Sequence, residues 1–370
     1  NIMFKYGNLL IGGTETIVIA EAGENHLKDY DLAERHIMEA AETGVQIIKF
    51  QTYDADKLTT KNAPRFWQWD GEHDQKGSQH DSYKILATPE ADFTQFLMDT
   101  CKKYDIEFMS TPFDVDSLSM LDGMGSHGFK VASGDLTNVP LLRAIGGTKK
   151  PVFLSTGAST IPEISNAVNL LEKSGASDIC VMHCTLCYPT RAEHANLSAL
   201  LDIKSNFPNY VLGLSDHTIG KLIPTLSVML GAQVIEKHFT VDNNLPDSAD
   251  HWLSINPVEI SELMSDLKIA ERAKGIGLKD VLACESLTRS NARRSIIVKG
   301  SLKSGEKFTE SNLTTKRPST GISALYWDDI IGLTATRDLS DDEMIRAEDV
   351  LEDASFKPIT DKLLKSKKGI

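Results

Sequence analysis

Residues 211–239, VLGLSDHTIGKLIPTLSVMLGAQVIEKHF, contain two short apolar runs separated by a segment of helix length. Each run ends in polar residues that are useful in catalysis, SDH after the first and EKH after the second. Short runs rich in Val, Ile and Leu are typical of buried parallel strands. The stretch therefore predicts a strand, a helix and a second strand parallel to the first.

The same pattern occurs eight times in the first 240 residues. The predicted strands are 16–20, 45–50, 106–109, 128–132, 151–154, 178–182, 210–214 and 232–235. Eight such strands with helix-length connections predict a (β/α)₈ TIM barrel of the α/β class. In this fold the active site lies at the carboxyl ends of the strands, and polar residues follow all eight runs.

The composition is typical of a soluble globular protein, and the net charge argues against a nucleic-acid partner. The net charge is −13 with a pI near 5.3, whereas nucleic-acid binding requires a clustered basic face. No apolar stretch is long enough to cross a membrane, and residues 1–13 do not resemble a signal peptide. We expect no membrane partner and a cytoplasmic location.

The texture of the chain changes near residue 287. We expect a barrel domain over 1–286, a small β-rich domain over 287–352 with short β-like runs broken by Gly, Ser and Asn, and a frayed Lys-rich tail over 353–370. Within the barrel, residues 53–88 interrupt the alternation of predicted strands and helices, and they include Trp67 and Trp69. We expect a long loop over the active-site face there, either an ordered lid or a disordered insertion.

Two histidines, His217 and His238, follow neighbouring predicted strands. Their imidazoles can converge on one divalent metal ion, with the carboxylates of Asp216 and Glu236 close by. The alternative for either histidine is a buried, hydrogen-bonded structural role. The matching positions favour a metal site.

Two lysines point into the predicted barrel mouth. Lys49 and Gln51 alternate on the second strand and therefore share a face, and Lys130 lies on the fourth. Hydroxyls at other strand ends come from Thr111, Ser133, Ser155 and Ser215. Lysines with hydroxyls favour a phosphate or phosphate-plus-carboxylate site. A Schiff-base lysine and a lysine that extends to solvent at the rim are the alternatives.

Carboxylates and cysteines complete the set of candidates. Glu21 ends the first strand and Asp250 lies on the last βα loop, where they can orient hydroxyls or a water molecule. Cys184 and Cys187 form a lone C-x-x-C without a second pair, so we expect reduced cysteines.

Ten motifs in this order resemble the sialic acid (N-acetylneuraminate) synthase family. They span about residues 14–350 and are IAEAGENH, KFQT, STPFD, FKVASGD, LSTGAS, HCTLCYPT, GLSDHTIG, VIEKHF, ADHWLSINP and KRPSTGI. The resemblance implies a TIM barrel joined to a small antifreeze-like (SAF) domain. It also implies condensation of phosphoenolpyruvate with N-acetylmannosamine or a related 2,4-diacetamido-trideoxyhexose, with release of phosphate by C–O cleavage.

The resemblance also assigns roles. Phosphoenolpyruvate would be held by Lys49, Gln51, Thr111, Lys130, Ser133, Ser155 and Ser215, and a divalent ion, Mn²⁺ or Mg²⁺, by His217 and His238. The sugar or a catalytic water would face Glu21, Asp135, Tyr188 and Asp250. Arg317 of the small domain would reach the sugar's N-acetyl group in the partner subunit of a domain-swapped homodimer.

Four positions depart from the family pattern. They are Leu27–Lys28 after Asn25-His26, Asp135 in place of a frequent Glu, Leu186 in place of Asn or Ser, and Ser248-Ala249 before Asp250-His251. Leu186 cannot hydrogen-bond a sugar, so it favours a deoxy or diacetamido acceptor unless it packs beneath the loop. Alternative functions are a synthase of 3-deoxy-octulosonate or heptulosonate phosphates and a non-catalytic carbohydrate- or ice-binding protein.

Overall fold

The computed structural model describes residues 2–67, 77–246 and 250–351. The chain divides into two compact units after Gly275. The expected boundary after residue 286 falls eleven residues later, and residues 276–286 are exposed. The expected tail, 353–370, and Trp69 of the expected lid lie outside the described residues.

The first unit is an eight-stranded parallel barrel, as predicted. Its strands are β3 Ile17–Gly23, β4 Ile47–Thr52, β5 Glu107–Pro112, β6 Phe129–Val131, β7 Val152–Ser155, β8 Ile179–Cys184, β9 Val211–Asp216 and β10 Val234–His238. They are hydrogen-bonded in the order β5-β4-β3-β10-β9-β8-β7-β6, and the end strands β5 and β6 pack side by side. Most strands run one to three residues further than predicted, so several polar residues expected after the strands belong to them.

Helices surround the barrel. They are α1 Tyr30–Glu42, α2 Ala55–Leu58, α3 Gln79–Leu86, α4 Ala91–Lys103, α5 Val115–Gly123, α6 Val139–Gly147, α7 Ile161–Ser174, α8 Ala199–Asn206, α9 Leu222–Met229 and α10 Pro257–Lys274. The helix signals explain their starts: Thr160 and Glu163 form a capping box on α7, and Asn256 and Glu259 form one on α10. Among the described residues, no helix combines the length and apolar composition needed to cross a bilayer.

The segment 53–88 is partly helical rather than a plain loop. It contains α2 and α3, and Tyr53, Ala55 and Ala87 form a small apolar cluster that partly buried Tyr83 packs against. Trp67 is buried. Capping by Asp54 and by Ser78 with Asp81 starts the two helices.

The barrel is preceded by a β-hairpin, which the sequence pattern does not predict. Strands β1 Phe4–Tyr6 and β2 Leu9–Ile11 pair antiparallel. Phe4, Tyr6 and Ile11 join an apolar cluster with the barrel interior, built from Ile17, Ile19, Ile47, Met109, Phe153, Cys180, Met182, Val211 and Val234. This cluster packs the barrel at the amino ends of its strands, so the polar interior is confined to the carboxyl ends.

The second unit has its own apolar core. It contains α11 Ser286–Ala292, the antiparallel strands β11 Ser295–Val298 and β12 Leu313–Lys316, and α12 Trp327–Ile330. Ile296, Phe308 and Ile345 are fully buried in this core. The unit is compact with little regular secondary structure, as the many Gly, Ser and Asn turn signals predict.

Candidate active site

Alternation along the barrel strands sets the site. On β10, Val234 belongs to the interior cluster and Ile235 to the outer one, so Glu236 and His238 share the inward face with Val234. The same argument on β4 directs Ile47, Lys49 and Gln51 inward. Polar side chains therefore replace apolar ones one layer above the closed end of the barrel.

Lys49 is held by a carboxylate and a hydroxyl. Its Nζ lies 2.6 Å from Oε2 of Glu21 and donates to Oγ1 of Thr111 at 2.8 Å. Gln51 Nε2 donates to the other oxygen of Glu21 at 2.9 Å. Burial lowers the pKa of Lys49, but the charges of Glu21 and Glu236 outweigh it and the pKa is raised. The amine stays protonated, which argues against a Schiff-base role, and its burial excludes a lysine that extends to solvent.

Glu236 lies between the two lysines. Its Oε2 is 2.8 Å from Nζ of Lys130, its Oε1 is 3.9 Å from Nζ of Lys49, and Ser215 Oγ donates to Oε1 at 3.4 Å. Burial would raise the pKa of Glu236, but Lys130 and Lys49 lower it to about 2. From the sequence, Glu236 is predicted only to lie close to the two histidines. Its position two residues before His238, on the same inward face, is the signal that identifies it.

The two histidines lie together one layer higher. Their ring centroids are 5.2 Å apart. Nδ1 of His238 is 3.2 Å from Oδ2 of Asp250, and Nδ1 of His217 is 3.1 Å from the carbonyl oxygen of Thr185. Both neighbouring atoms are oxygen acceptors, so in a neutral imidazole this geometry favours the proton on Nδ1 and leaves Nε2 as the nitrogen with a free lone pair.

This arrangement fits a divalent ion bound by two protein nitrogens. A carboxylate or carbonyl behind each Nδ1 is the usual way in which proteins orient a ligand histidine. Among the described residues, no group of three or more His, Cys, Asp and Glu side chains is arranged to hold a metal. The remaining coordination positions would belong to water or substrate oxygens, as in open catalytic sites rather than closed structural ones.

Asp216 does not join the histidines, contrary to the sequence-based expectation. It lies on the outward face of β9 and pairs with Lys237 at 2.8 Å.

Burial would lower the pKa of His238, but the charge of Asp250 outweighs burial and raises that pKa. Asp250, expected near the sugar, is therefore also the carboxylate behind a histidine.

Tyr188 and the hydroxyls line the rest of the site. The ring of Tyr188 lies 4.1 Å from that of His217, and Ser133 Oγ accepts from the backbone N–H of Gly157 at 2.9 Å. Ser155 Oγ is buried and has no hydrogen-bond partner among the described residues. A buried hydroxyl without a partner is unfavourable unless a ligand supplies one.

Among the described residues Asp135 forms no ion pair, and Arg317 belongs to the second unit. Asp135 accepts from Asn138 Nδ2 at 3.1 Å, and burial raises its pKa. Arg317 is exposed on the second unit. The neighbouring Lys316 pairs with Asp342 at 2.6 Å.

The cysteines form no disulfide. Cys184 is buried with its Sγ 3.8 Å from Nδ1 of His217, whereas Cys187 is exposed. The pair therefore does not converge on one point. Leu186, between them, packs near Gly157 and Ser133, with its Cβ 3.0 Å from where a side chain on Gly157 would begin.

Comparisons with known proteins agree with this geometry. The NeuB family model matches residues 36–279 and the SAF domain model matches residues 293–351. The chain is 37% identical over 338 residues to the N,N'-diacetyllegionaminic acid synthase of Campylobacter jejuni, covering 90% of this chain and 99% of that protein. It is 36% identical to the enzyme of the same name from Legionella pneumophila, covering 87% and 91%.

A solved structure is also similar. The N-acetylneuraminic acid (sialic acid) synthetase of Leptospira borgpetersenii, crystallised with citrate, superposes with a TM-score of 0.69 at 34% identity. The match covers 77% of this chain and 94% of that one. The resemblance carried by the ten motifs is confirmed.

Proposed function

The chain belongs to the NeuB family and carries a SAF domain, and from this premise we propose that it condenses phosphoenolpyruvate with an N-acetylated amino sugar. The products are a nonulosonic acid and phosphate. The observation that carries the proposal is the buried Lys49, Glu236 and Lys130 group beneath the pair His217 and His238.

Phosphoenolpyruvate fits the lower layer. Lys49 and Lys130 with Gln51 are the cationic and amide donors, and the hydroxyl donors are Thr111, Ser133, Ser155 and Ser215. The unpartnered hydroxyl of Ser155 supports this assignment. Fixed donors in a buried site hold the enol in one orientation and need no reorganisation during the reaction.

The lysines alone do not balance the charge of the substrate. Glu21 and Glu236 already neutralise Lys49 and Lys130. A phosphate and a carboxylate placed there need additional positive charge. We propose that His217 and His238 would hold Mn²⁺ or Mg²⁺ through their Nε2 atoms, and that the ion would supply Lewis-acid polarisation of the sugar aldehyde.

The reaction forms a carbon–carbon bond at C3 of phosphoenolpyruvate. C3 attacks the aldehyde carbon of the open-chain sugar, a water molecule adds at C2, and phosphate leaves with cleavage of its C–O bond. Glu21, Asp135, Tyr188 and Asp250 face the sugar or the attacking water. Asp135 is the candidate for accepting the proton of that water, because it accepts a hydrogen bond from the neutral amide of Asn138 and forms no ion pair among the described residues.

The acceptor that we propose is a 2,4-diacetamido-trideoxyhexose rather than N-acetylmannosamine. Two relatives at 36% and 37% identity carry the name N,N'-diacetyllegionaminic acid synthase. Leu186 near Ser133 offers an apolar contact for a methyl group and no hydrogen bond for a hydroxyl.

We propose a domain-swapped homodimer in which Arg317 reaches the sugar in the partner's site. The exposed guanidinium is suited to an amide carbonyl or carboxylate. The five unpaired cysteines are consistent with the proposed cytoplasmic location. The alternatives, a synthase of 3-deoxy sugar phosphates and a non-catalytic binding protein, lack a comparable observation.

A phosphate-release assay with phosphoenolpyruvate and a panel of sugars tests the function. Turnover with the diacetamido sugar is expected, with weaker turnover of N-acetylmannosamine and none of phosphorylated aldoses. Chelation should abolish turnover and Mn²⁺ should restore it. Release only with arabinose or erythrose phosphates would overturn the proposal, as would full activity after exhaustive chelation.

A further inference from the structure

Three residues lie directly behind the two histidines on the outer side of the barrel wall. Lys237 Nζ is 2.8 Å from Oδ2 of Asp216 and also donates to the carbonyl oxygen of Thr218. Both charged side chains are buried, with exposed fractions of 1% and 4%. We call Asp216, Thr218 and Lys237 the clamp.

The clamp closes around His217. Asp216 accepts from the backbone N–H of Thr218 at 3.2 Å and from its hydroxyl at 2.7 Å. Lys237, from the neighbouring strand, binds the carboxylate of Asp216 and the carbonyl of Thr218. The residues on either side of His217 are therefore tied to one ammonium group.

The clamp also reaches His238. Lys237 is directly opposite Asp216 in the register of β9 and β10, so each histidine is the next residue along its own strand. A relative shift of the two strand ends would therefore move the ion pair and the two imidazoles together. The clamp is the polar link between the two strand ends on this side of the wall.

The chemistry of the clamp is unexpected for a packing role. The preceding outward positions on the two strands are Leu214 and Ile235, both in the apolar cluster between barrel and helices. A buried ion pair is seldom more stabilising than apolar side chains of similar size, and its best supported use is to fix one arrangement. Because the ion pair lies next to both histidines, the arrangement that it fixes is that of the two imidazoles.

We propose that the clamp sets the separation of the His217 and His238 imidazoles and thereby the affinity of the site for a divalent cation. Asp216, Thr218 and Lys237 are positioning residues in this inference, which rests on the metal site of the proposed function. They touch neither the ion nor the substrates and act through the backbone of the histidines.

The test measures Mn²⁺ binding to the whole protein without substrates, by electron paramagnetic resonance of free Mn²⁺. Lys237→Met is expected to weaken binding at least 10-fold. Lys221→Met is the matched control, because Lys221 lies just past β9 and pairs with Asp266 at 2.8 Å without touching the clamp. Its affinity should equal that of the wild type.

Thr218→Val keeps the test decisive if Lys237→Met does not fold. It removes the 2.7 Å hydrogen bond and leaves the buried charges of Asp216 and Lys237 paired with each other, and about 3-fold weaker binding is expected. Equal Mn²⁺ affinity in the wild type and in each clamp variant that folds overturns the inference. A wild type that binds no Mn²⁺ overturns instead the metal site of the proposed function.

Discussion

Lys130 and Glu236 form a buried ion pair at 2.8 Å across the barrel interior, between strands that are not neighbours in the sheet. The same carboxylate lies within 3.9 Å of Lys49. The proposed anion site therefore contains its own counter-ion, and we expect removal of either charge to affect both stability and substrate binding.

Replacement of Lys130 by methionine separates these two effects. Lys130→Met removes the nearer counter-ion of the buried Glu236 carboxylate, so the free energy of unfolding should fall by about 3 kcal/mol. The KM for phosphoenolpyruvate should rise roughly 100-fold, the effect of losing a charged hydrogen-bond donor. Adding Glu236→Gln should restore stability in urea unfolding but not the KM. Recovery of both in the double variant would contradict the role of Lys130 in binding.

Buried histidines should make the protein sensitive to mild acid. Burial lowers the pKa of His36 to about 4 and that of His26 to about 3, while both titrate near 6.5 when unfolded. Their stabilisation is complete above pH 6.5 and is lost as the pH falls toward 4, because the unfolded chain then binds more protons. Between pH 7.5 and 5.5 the free energy of unfolding falls, and His36→Phe should make that fall smaller by about 1.3 kcal/mol.

Urea unfolding at the two pH values measures this difference. The exposed His194 supplies the control, and His194→Gln should leave the loss unchanged. The phenylalanine ring retains the edge contact that His36 makes with Phe239 at 6.1 Å. An unchanged pH dependence in His36→Phe would show that folding does not lower the pKa of this histidine.

Gly157 leaves space for Ser133. A Cβ at residue 157 would lie 2.8 Å from Ser133 Oγ, 3.0 Å from Leu186 Cβ and 3.1 Å from Cys184 Sγ. Gly157→Ala should displace the hydroxyl and raise the KM for phosphoenolpyruvate about 10-fold. Gly147→Ala has open space and should have no effect. Similar steady-state kinetics for both variants would remove Ser133 from the proposed donor set.

Leu186 is expected to determine the choice of acceptor. Leu186→Asn should raise kcat/KM for N-acetylmannosamine relative to the diacetamido sugar by about 10-fold, the effect of one hydrogen bond. The ratio of the two values in wild type and variant is the measurement. An unchanged ratio would mean that Leu186 only packs beneath its loop.

Arg317 should act on the sugar alone. Arg317→Ala is expected to raise the KM for the sugar about 10- to 100-fold and to leave that for phosphoenolpyruvate unchanged, because one charged hydrogen bond is lost. Lys316→Ala, which removes the pair with Asp342, is the control. A monomer by light scattering that turns over normally would contradict the shared site.

The sequence predicts the barrel because eight apolar runs each carry enough β-branched residues to mark a strand. It does not predict the hairpin β1–β2, since strands of three residues have too little periodicity. Alternation from His238 already places Glu236 inward and Lys237 outward. The pairing of Glu236 with Lys130 depends on barrel closure, which no local pattern specifies.

The apolar cluster under the barrel has a kinetic consequence. Among the described residues that end is packed by Phe4, Tyr6 and Ile11, so we expect substrates and products to use the mouth at the carboxyl ends of the strands. In the proposed reaction the three-carbon donor binds at the level of Lys130 and Glu236, below the histidines, so we expect it to bind before the sugar. We then expect the nine-carbon product to leave before phosphate. We therefore expect ordered kinetics, in which the last substrate to bind yields the first product to leave. Excess sugar should inhibit the reaction.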